Sequence, residues 1–426
     1  MLTISTPSLA AGATIAAFLG LLLVVARVLG SLTERLGLTR VVGELATGFV
    51  LGPSVLGRLS PSVTDWFAPA VASPLLAEIS LLGLVLLLAL AGLETDVAVI
   101  RPYARDVAAI GSVGLVVPFV LGVGFGVVVP AALLTETATR PVFALFLGTS
   151  LCISAIPVVV RILLELGVYD SSLGQRTVAT AMFTDVVGWI LLGVVVGIAR
   201  AGRLDAGALA TVLLVLAAFL LGAVVVGQRV VDGVLDRLSD DAVGGHLLVV
   251  VAAAVGGSAL AHAVGVEPAL GAFVAGVLFA RAGGIPERAR TVFERTTLRV
   301  FAPVFFGVAG LEADLGLLTD PTVAVVGAAT LAIATVGKVG GVYLAAAALG
   351  YDRTEATAMG IGLNARGAIE IVIATVGLDL GILSPRMYTV VLLVAVATSA
   401  MTPPLLRRVL GDVRGGAAVG RPPDPS

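Results

Sequence analysis

Charged residues are scarce in this sequence. Only 13% of its 426 residues are Asp, Glu, Lys or Arg, whereas 58% are hydrophobic. An ordinary soluble domain carries about 25% charged residues, so this composition excludes that class. The mean hydropathy of +1.10 predicts that most of the chain lies in a lipid bilayer.

Cysteine and histidine are almost absent, and nucleotide motifs are missing. Cys152 is the single cysteine and cannot form an intrachain disulfide, while His246 and His262 are too isolated to suggest a metal site. There is no Walker motif, and the glycines around Gly360 lack the spacing of a dinucleotide fingerprint. We therefore expect no cofactor, no enzyme active site and no nucleic-acid partner, and any transport must use ion gradients.

Long apolar runs occupy almost the whole sequence. About thirteen of them approach the roughly 20 residues that a helix needs to cross the hydrocarbon layer, for example 8–26, 107–135, 141–160 and 206–228. Backbone groups in lipid must bond within their own segment, and the runs show no strand-like alternation. The sequence predicts an all-α integral membrane protein with about 13 transmembrane helices.

The basic residues are distributed unevenly between alternate loops. Of the 26 Lys and Arg residues, nineteen arginines fall in one alternate set of loops and in the C-terminal tail. The other set has only five, which are Arg58, Arg140, Arg200, Arg203 and Arg386. Basic residues favour the cytoplasmic side, so the N-terminus is expected outside and the C-terminus in the cytoplasm. This orientation requires an odd number of helices.

Two pairs of similar segments suggest an internal repeat. LALAGLETD (88–96) matches FGVAGLEAD (306–314), which aligns Glu94 with Glu312. VGELATGFVL (42–51) matches LGAFVAGVLF (270–279), which aligns Gly43 with Gly271. When an odd number of helices separates equivalent positions, the two halves of the repeat have opposite orientations in the membrane. This arrangement is typical of secondary transporters. Chance similarity within a restricted apolar alphabet is the alternative.

Polar residues inside apolar segments mark two candidate broken helices. In the first, residues 148–163, Thr149 and Ser154 precede Pro157, whose ring cannot donate a helical hydrogen bond. The second spans residues 360–381. Its polar or flexible residues are Asn364, Arg366, Gly367 and Glu370. Sites of transporters lie where such broken helices meet.

A single carboxylate lies in the apolar run 177–199. A charged Asp185 in hydrocarbon is costly, so it should be neutralised by a proton or by a cation, and these two occupants exclude each other. Competition for one site would produce antiport. The alternative is a buried aspartate whose oxygens are satisfied by hydrogen bonds.

The motifs together resemble the monovalent cation:proton antiporter superfamily, and within it the Kef-type bacterial antiporters and plant cation/H+ exchangers. The resemblance covers about residues 10–410 and rests on VVGELATGFVLGPSVLG (41–57), LLLALAGLETD (86–96), ISAIPVVVRILLELG (153–167), FTDVVGWILL (183–192), LGAFVAGVLFAR (270–281) and GLNARGAIEIVIATVGLDLGIL (362–383).

The resemblance implies an architecture. It implies thirteen helices, a scaffold that forms a homodimer, and a mobile core at about 107–199 and 321–408, built on two crossed, partly unwound helices. The transmembrane domain would span 1–410. Residues 411–426 are expected to form a short disordered cytoplasmic tail.

The resemblance also implies a cation and proton site. Asp185 matches the essential aspartate of the family and would bind Na+ or K+. Thr184 replaces a first acid that many electrogenic members carry, so one titratable group is missing. Thr184, Ser154 and Thr149 would supply uncharged oxygens.

The sole lysine of the chain, Lys338, matches the family lysine that faces the aspartate. It could be a static counter-ion or could itself titrate, because a buried lysine can lose its proton and an arginine cannot. Pro157, Asn364, Arg366 and Glu370 are expected to shape the crossing, with Arg366 and Glu370 paired at i, i+4.

The expected function is exchange of Na+ or K+ for H+ across the cell membrane. Two other functions stay open on the same inverted-repeat fold: a K+ efflux channel-like protein and an organic-solute transporter. The mid-membrane residues Asp185 and Lys338 favour proton-coupled exchange over both.

Overall fold

The computed structural model describes residues 9–95, 103–169, 171–201, 206–239 and 241–416, and this part of the chain contains helices but no strand. The first half comprises α1 (Leu9–Arg35), α2 (Arg40–Leu51), α3 (Leu56–Leu59), α4 (Pro61–Val71), α5 (Pro74–Leu93), α6 (Ala104–Val128), α7 (Arg140–Cys152), α8 (Ile156–Glu165) and α9 (Ser172–Ala201). The second comprises α10 (Ala206–Gly222), α11 (Gln228–Leu235), α12 (Val243–Ala263), α13 (Pro268–Arg281), α14 (Glu287–Thr296), α15 (Ala302–Leu311), α16 (Pro321–Ala348), α17 (Arg353–Leu363), α18 (Ala368–Asp379) and α19 (Pro385–Gly416).

The described helices group into thirteen hydrophobic segments when interrupted helices are joined. A π-helical turn, Ala223–Gly227, connects α10 to α11, and another, Thr297–Phe301, connects α14 to α15. Short unwound stretches separate α7 from α8 and α17 from α18. Eight segments are long and apolar enough to cross a membrane as continuous helices. This grouping leaves α3 and α4 outside the count and is consistent with the predicted thirteen.

Glycine contacts reveal a two-fold relation between the halves. A Cβ on Gly48 of α2 would overlap backbone atoms of Gly307 and Gly310 in α15. Likewise, a Cβ on Gly276 of α13 would overlap backbone atoms of Ala89 and Leu93 in α5. Gly276 is the repeat partner of Gly48, and α5 is the repeat partner of α15, so the same contact occurs twice with the halves exchanged. Such reciprocity is what a two-fold axis produces, and it supports the inverted repeat over chance similarity.

The two crossed, partly unwound helices are present as predicted. The first break has extended backbone at Ile153 (φ −85°, ψ 150°) and Ala155 (φ −103°, ψ 109°). The second has an extended Gly367 (φ −163°, ψ −139°). Pro157 follows the first break and occupies the first turn of α8, where a helical residue needs no N–H partner.

Helix α19 extends to Gly416, beyond the predicted end of the transmembrane domain at residue 410. The boundaries predicted for the core, the scaffold and the tail stay predictions. Residues 405–416 contain no proline, so the helical backbone hydrogen bonds of α19 can continue beyond the apolar segment. The remaining tail residues, 417–426, lie outside the described part of the chain.

Candidate functional site

The two breaks meet and are hydrogen-bonded to each other. The backbone N–H of Ala155 donates to the carbonyl of Ala365 at 3.0 Å. The hydroxyl of Ser154 donates to the carbonyl of Leu363 at 2.7 Å. Residues far apart in the sequence thus satisfy backbone groups that the interrupted helices leave unpaired. Ser154, predicted as a cation ligand, uses its proton to hold the crossing, and its oxygen retains lone pairs.

Two cationic side chains cap the C-terminal end of α7. Lys338 Nζ donates to the carbonyl of Cys152 at 2.6 Å. Arg366 donates through Nη1 to the carbonyl of Ser150 at 2.7 Å and through Nη2 to that of Leu151. The last carbonyls of a helix have no intrahelical partners and form the negative end of its dipole. The charges of Lys338 and Arg366 therefore compensate this buried helix end.

Arg366 and Glu370 form a buried ion pair beside the crossing. Their Nη1–Oε2 distance is 2.9 Å, and the two side chains are 1% and 2% exposed. Ser150 donates to the other carboxylate oxygen, Oε1, at 2.6 Å. The hydroxyl of Ser399 in α19 donates to the backbone carbonyl of Arg366. This network fixes the second break against α7 and α19.

Asp185 has no hydrogen-bond partner although it is buried. It lies in the middle of α9 with 1% of its surface exposed. Neither Oδ1 nor Oδ2 accepts a hydrogen bond from any described residue. A buried carboxylate without donors is strongly unfavourable unless a proton or cation neutralises it. The structure thus gives no support to the alternative of an aspartate satisfied by hydrogen bonds.

Several uncharged oxygens on α9 and beside the two breaks are available as acceptors. The hydroxyls of Thr184 and Thr149 donate to carbonyls of their own helices, Ala181 at 3.0 Å and Leu145 at 2.8 Å. Their oxygens keep lone pairs. The amide Oδ1 of Asn364, at the end of α17, is also buried without a described partner. Hydroxyl and amide oxygens are ligands that suit a hard cation such as Na+.

Sequence reasoning missed several polar contacts around the site. Ser399 gave no signal in the sequence, because its partner, Arg366, lies on another segment. A second missed cluster joins α6, α9 and the loop before α17. The guanidinium of Arg176 lies 5.5 Å from the ring centre of Tyr103 and 5.2 Å from that of Tyr351, and the hydroxyl of Tyr351 donates to Asp106. Burial and this bond raise the pKa of Tyr351 to about 12, so the phenol stays neutral.

Comparison with known proteins identifies similar sequences over nearly the whole chain. Residues 20–410 match the family described as "Sodium/hydrogen exchanger, transmembrane". The Na(+)/H(+) antiporter NhaS4 of Synechocystis sp. is 32% identical over 391 residues, which cover 90% of this chain and 94% of that protein.

Two eukaryotic relatives are longer. The K(+)/H(+) antiporter 1 of Saccharomyces cerevisiae is 30% identical across 88% of this chain and 44% of its own length. The Cation/H(+) antiporter 20 of Arabidopsis thaliana is 29% identical across 93% of this chain and 48% of its own length. The chain therefore spans about half the length of these two relatives.

The fold is similar to a solved structure. The sodium proton antiporter MjNhaP1 of Methanocaldococcus jannaschii superposes with a TM-score of 0.63, covering 95% of this chain and 98% of that chain at 16% identity. At this identity the likeness establishes the fold alone. The family match and the NhaS4 relative establish the resemblance predicted from the motifs: the chain belongs to the sodium/hydrogen exchanger family of the monovalent cation:proton antiporter superfamily.

Proposed function

We propose that this protein exchanges a monovalent cation, Na+ or K+, for H+ by alternating access. The observation that carries the proposal is the carboxylate of Asp185, which is buried on α9 and has two oxygens without described donors. A proton or a cation must occupy such a group, and binding of one displaces the other. The names of the relatives, which include Na+/H+ and K+/H+ antiporters, agree with this chemistry.

The cation site would combine one charge with several neutral oxygens. Asp185 supplies the charge, while Thr184, Thr149 and Ser154 supply hydroxyl oxygens and Asn364 an amide oxygen. Thr184 stands next to Asp185 on α9, and the other three flank the two breaks. The breaks matter because unwound backbone exposes carbonyls that a continuous helix would bond internally.

Lys338 would act as the charge-compensating residue. Its Nζ is hydrogen-bonded to the Cys152 carbonyl, and no ion pair within the described part of the chain joins it to Asp185. Its charge is therefore engaged by the α7 helix end whether Asp185 holds a proton or a cation. This arrangement favours the static role over the titrating one, and an exchange of one cation for one proton.

The core, the homodimer and the orientation in the membrane are proposed from the sequence alone. The core would comprise about 107–199 and 321–408, with the other helices forming the scaffold of a homodimer. The protein would lie in the cell membrane with its N-terminus outside and its C-terminus in the cytoplasm. No described feature favours a K+ channel or an organic-solute transporter over the antiporter.

The direct test uses purified protein in proteoliposomes with an imposed pH gradient. Addition of Na+, K+ or Li+ should dissipate the gradient for at least one of these cations, and Asp185→Asn protein should show only the leak of empty liposomes. Lack of any cation-dependent proton flux in the unmodified protein would contradict the proposed function.

A further inference from the structure

An apolar groove runs between the segment formed by α10 and α11 and the helices α12 and α13. It has a volume of about 680 Å³, and every residue that lines it is Val, Ala, Phe, Gly or Leu. Its lining extends from Val215 to Val231, about 24 Å along the segment at 1.5 Å per residue. This length exceeds half the thickness of the hydrocarbon layer, which is about 15 Å. We name it the scaffold groove, because all four helices belong to the proposed scaffold.

Small residues and a π-helical turn form the scaffold groove. Ala223 and Gly227 of the turn between α10 and α11 line it. Gly222 faces open space, since a Cβ there would meet no atom within 4 Å. On the other side, a Cβ on Gly271 would lie 2.2 Å from the carbonyl oxygen of Gly257, so α12 and α13 touch at their backbones. Turns of the π type often occur at functional sites, and here the groove is built into the backbone.

The side chains along the rim of the groove are exposed. Val226 and Val230 expose 60% and 58% of their surface, and Leu260 exposes 59%. Residues 206–235 and 243–263 are both apolar enough to cross a membrane, so this exposed surface lies in hydrocarbon. The occupant of the groove must itself be apolar.

Two arginines lie at one end of the groove. Gln228 Nε2 donates to the carbonyl of Leu278 at 3.2 Å, which places the start of α11 beside the end of α13. Arg229 follows Gln228, Arg281 lies one turn beyond Leu278, and both arginines are exposed. Nη1 of Arg229 donates to the carbonyl of Val225 at 2.9 Å, and a guanidinium has further N–H groups for a ligand. The distribution of basic residues predicts that this end faces the cytoplasm.

The two arginines have no ion-pair partner among the described residues. The nearest acid along α11 is Asp232, whose Oδ1 accepts a hydrogen bond from Gln228 at 2.9 Å. The groove is thus apolar along its length and carries unpaired cations at its predicted cytoplasmic end.

We propose that the scaffold groove binds an acyl chain of an anionic phospholipid of the cytoplasmic leaflet, and that Arg229 and Arg281 bind its phosphate. An acyl chain already lies in hydrocarbon, so it enters the groove without a change in hydration and adds packing contacts. Basic residues near the cytoplasmic surface of a membrane attract anionic lipids. The inference is independent of the proposed function, because lipid binding does not require cation exchange.

A second copy of the chain fits this surface less well. Two copies that share one orientation in the membrane are related by an axis along the membrane normal. A symmetric contact at the groove would therefore bring the arginines of both copies to the same end, where their like charges repel.

The test maps where a photoactivatable lipid contacts the protein. The full-length protein is reconstituted in phosphatidylcholine bilayers with a trace of phosphatidylglycerol that carries a diazirine on one acyl chain. After illumination, mass spectrometry should find the groove segments 215–231, 253–264 and 271–278 labelled about 5-fold or more above the exposed face of α16, which includes Val325 and Val336. A phosphatidylcholine probe with the same diazirine should label the two surfaces equally.

Substitutions separate the charge of the groove from its shape. Arg229→Gln and Arg281→Gln should each lower groove labelling by the phosphatidylglycerol probe about 5-fold. Arg353→Gln, at an exposed arginine on the predicted cytoplasmic side of α17, should not lower it. Gly222→Leu places a side chain in the open space of the groove and should abolish the labelling. Gly256→Leu is its matched control, because this residue faces open space on α12 outside the groove.

Labelling of the α16 face in every variant would show that the protein is folded and inserted. Equal labelling of the groove by both probes, or labelling that Gly222→Leu leaves unchanged, would overturn the proposal. A groove that neither probe labels would also overturn it. Conversion of dimers to monomers by Gly222→Leu would then identify the groove as an interface between copies of this chain.

Discussion

At the scale of single residues, two buried carboxylates have opposite surroundings. Asp185 has no described hydrogen-bond donor, whereas Glu370 is bonded to both Arg366 and Ser150. A carboxylate fully bonded within the protein stabilises the fold, and one left without partners is available to a proton or cation. We therefore propose that Glu370 is a structural acid and Asp185 the transport acid.

The contrast predicts opposite effects on stability. Asp185→Asn should leave the free energy of unfolding unchanged or raise it, because the substitution removes a carboxyl group that the fold must neutralise and that has no protein partner. Glu370→Gln should reduce it by about 3–5 kcal/mol, because Arg366 would then remain buried without its counter-ion. Thermal unfolding of both variants in detergent measures the difference. Equal losses of stability would contradict the assignment of roles.

The sequence anticipated part of this site. The i, i+4 spacing predicted that Arg366 and Glu370 would pair, and the structure contains this pair. The isolated carboxylate in an apolar run singled out Asp185, whose role at the cation and proton site stays a prediction. The capping of α7 by Lys338 and Arg366 could not be predicted, since it depends on contacts between segments that are far apart in the sequence. The bond of Ser154 to Leu363 is unpredictable for the same reason.

At the scale of helices, close backbone contact at glycines determines packing. Gly276→Ala should strongly disrupt the protein, because its Cβ would overlap the backbone oxygen of Ala89 in α5. Gly256→Ala is the matched control on α12, where a Cβ meets no atom within 4 Å. Gly256→Ala should have a free energy of unfolding about 0.5–1 kcal/mol higher than that of the unmodified protein, because alanine suits a helix interior better than glycine. Similar folded yields for both variants would refute the proposed importance of this contact.

A pH-dependent stability is expected at the end of α5. Glu94 follows the last residue of the span, and burial, with the nearby Glu294 carboxylate, raises its pKa from 4.5 to about 7, although Arg290 acts in the opposite direction. The folded protein thus binds this proton more tightly than the unfolded chain. Stability should therefore fall as pH rises from about 4.5 to 7.

Glu94→Gln should remove the loss of stability that the unmodified protein undergoes as pH rises from about 4.5 to 7. The variant and the unmodified protein should have similar melting temperatures at pH 4.5, and the variant should melt higher at pH 8. Glu78→Gln, an exposed position on the same helix, serves as the control and should not alter the pH profile. A constant difference between Glu94→Gln and the unmodified protein across this range would exclude the role of Glu94.

The sequence predicted helices correctly where hydrophobicity alone determines their position. Apolar runs predicted the spans, and the repeated AGLExD and G-x4-G motifs predicted the two-fold relation of α2, α5, α13 and α15. The end of α19 at Gly416 could not be read from hydrophobicity, because a helix can extend beyond the membrane without any change in hydrophobicity that marks its end. The small helices α3 and α4 were not predicted, because both are too short to be recognised as membrane spans.

At the scale of the whole molecule, the charges suggest electroneutral exchange. Thr184 stands where many electrogenic members carry the first of two adjacent acids, and Lys338 is hydrogen-bonded to the α7 helix end. One cation would then replace one proton with no net charge movement. In vesicles whose potential is clamped with K+ and valinomycin, the rate of Na+ exchange should not depend on the imposed voltage. A rate that follows the voltage would identify Lys338 as a second proton carrier, and Lys338→Gln should then abolish the voltage dependence.

Competition between proton and cation at Asp185 is the central claim, and proton release measures it directly. Purified protein in weakly buffered detergent solution is equilibrated at a pH where Asp185 is protonated, and Na+ or K+ is then added. The unmodified protein should release about one proton per chain as the cation binds, and Asp185→Asn protein should release none. Cation binding without proton release, or equal release by the Asp185→Asn variant, would contradict the account.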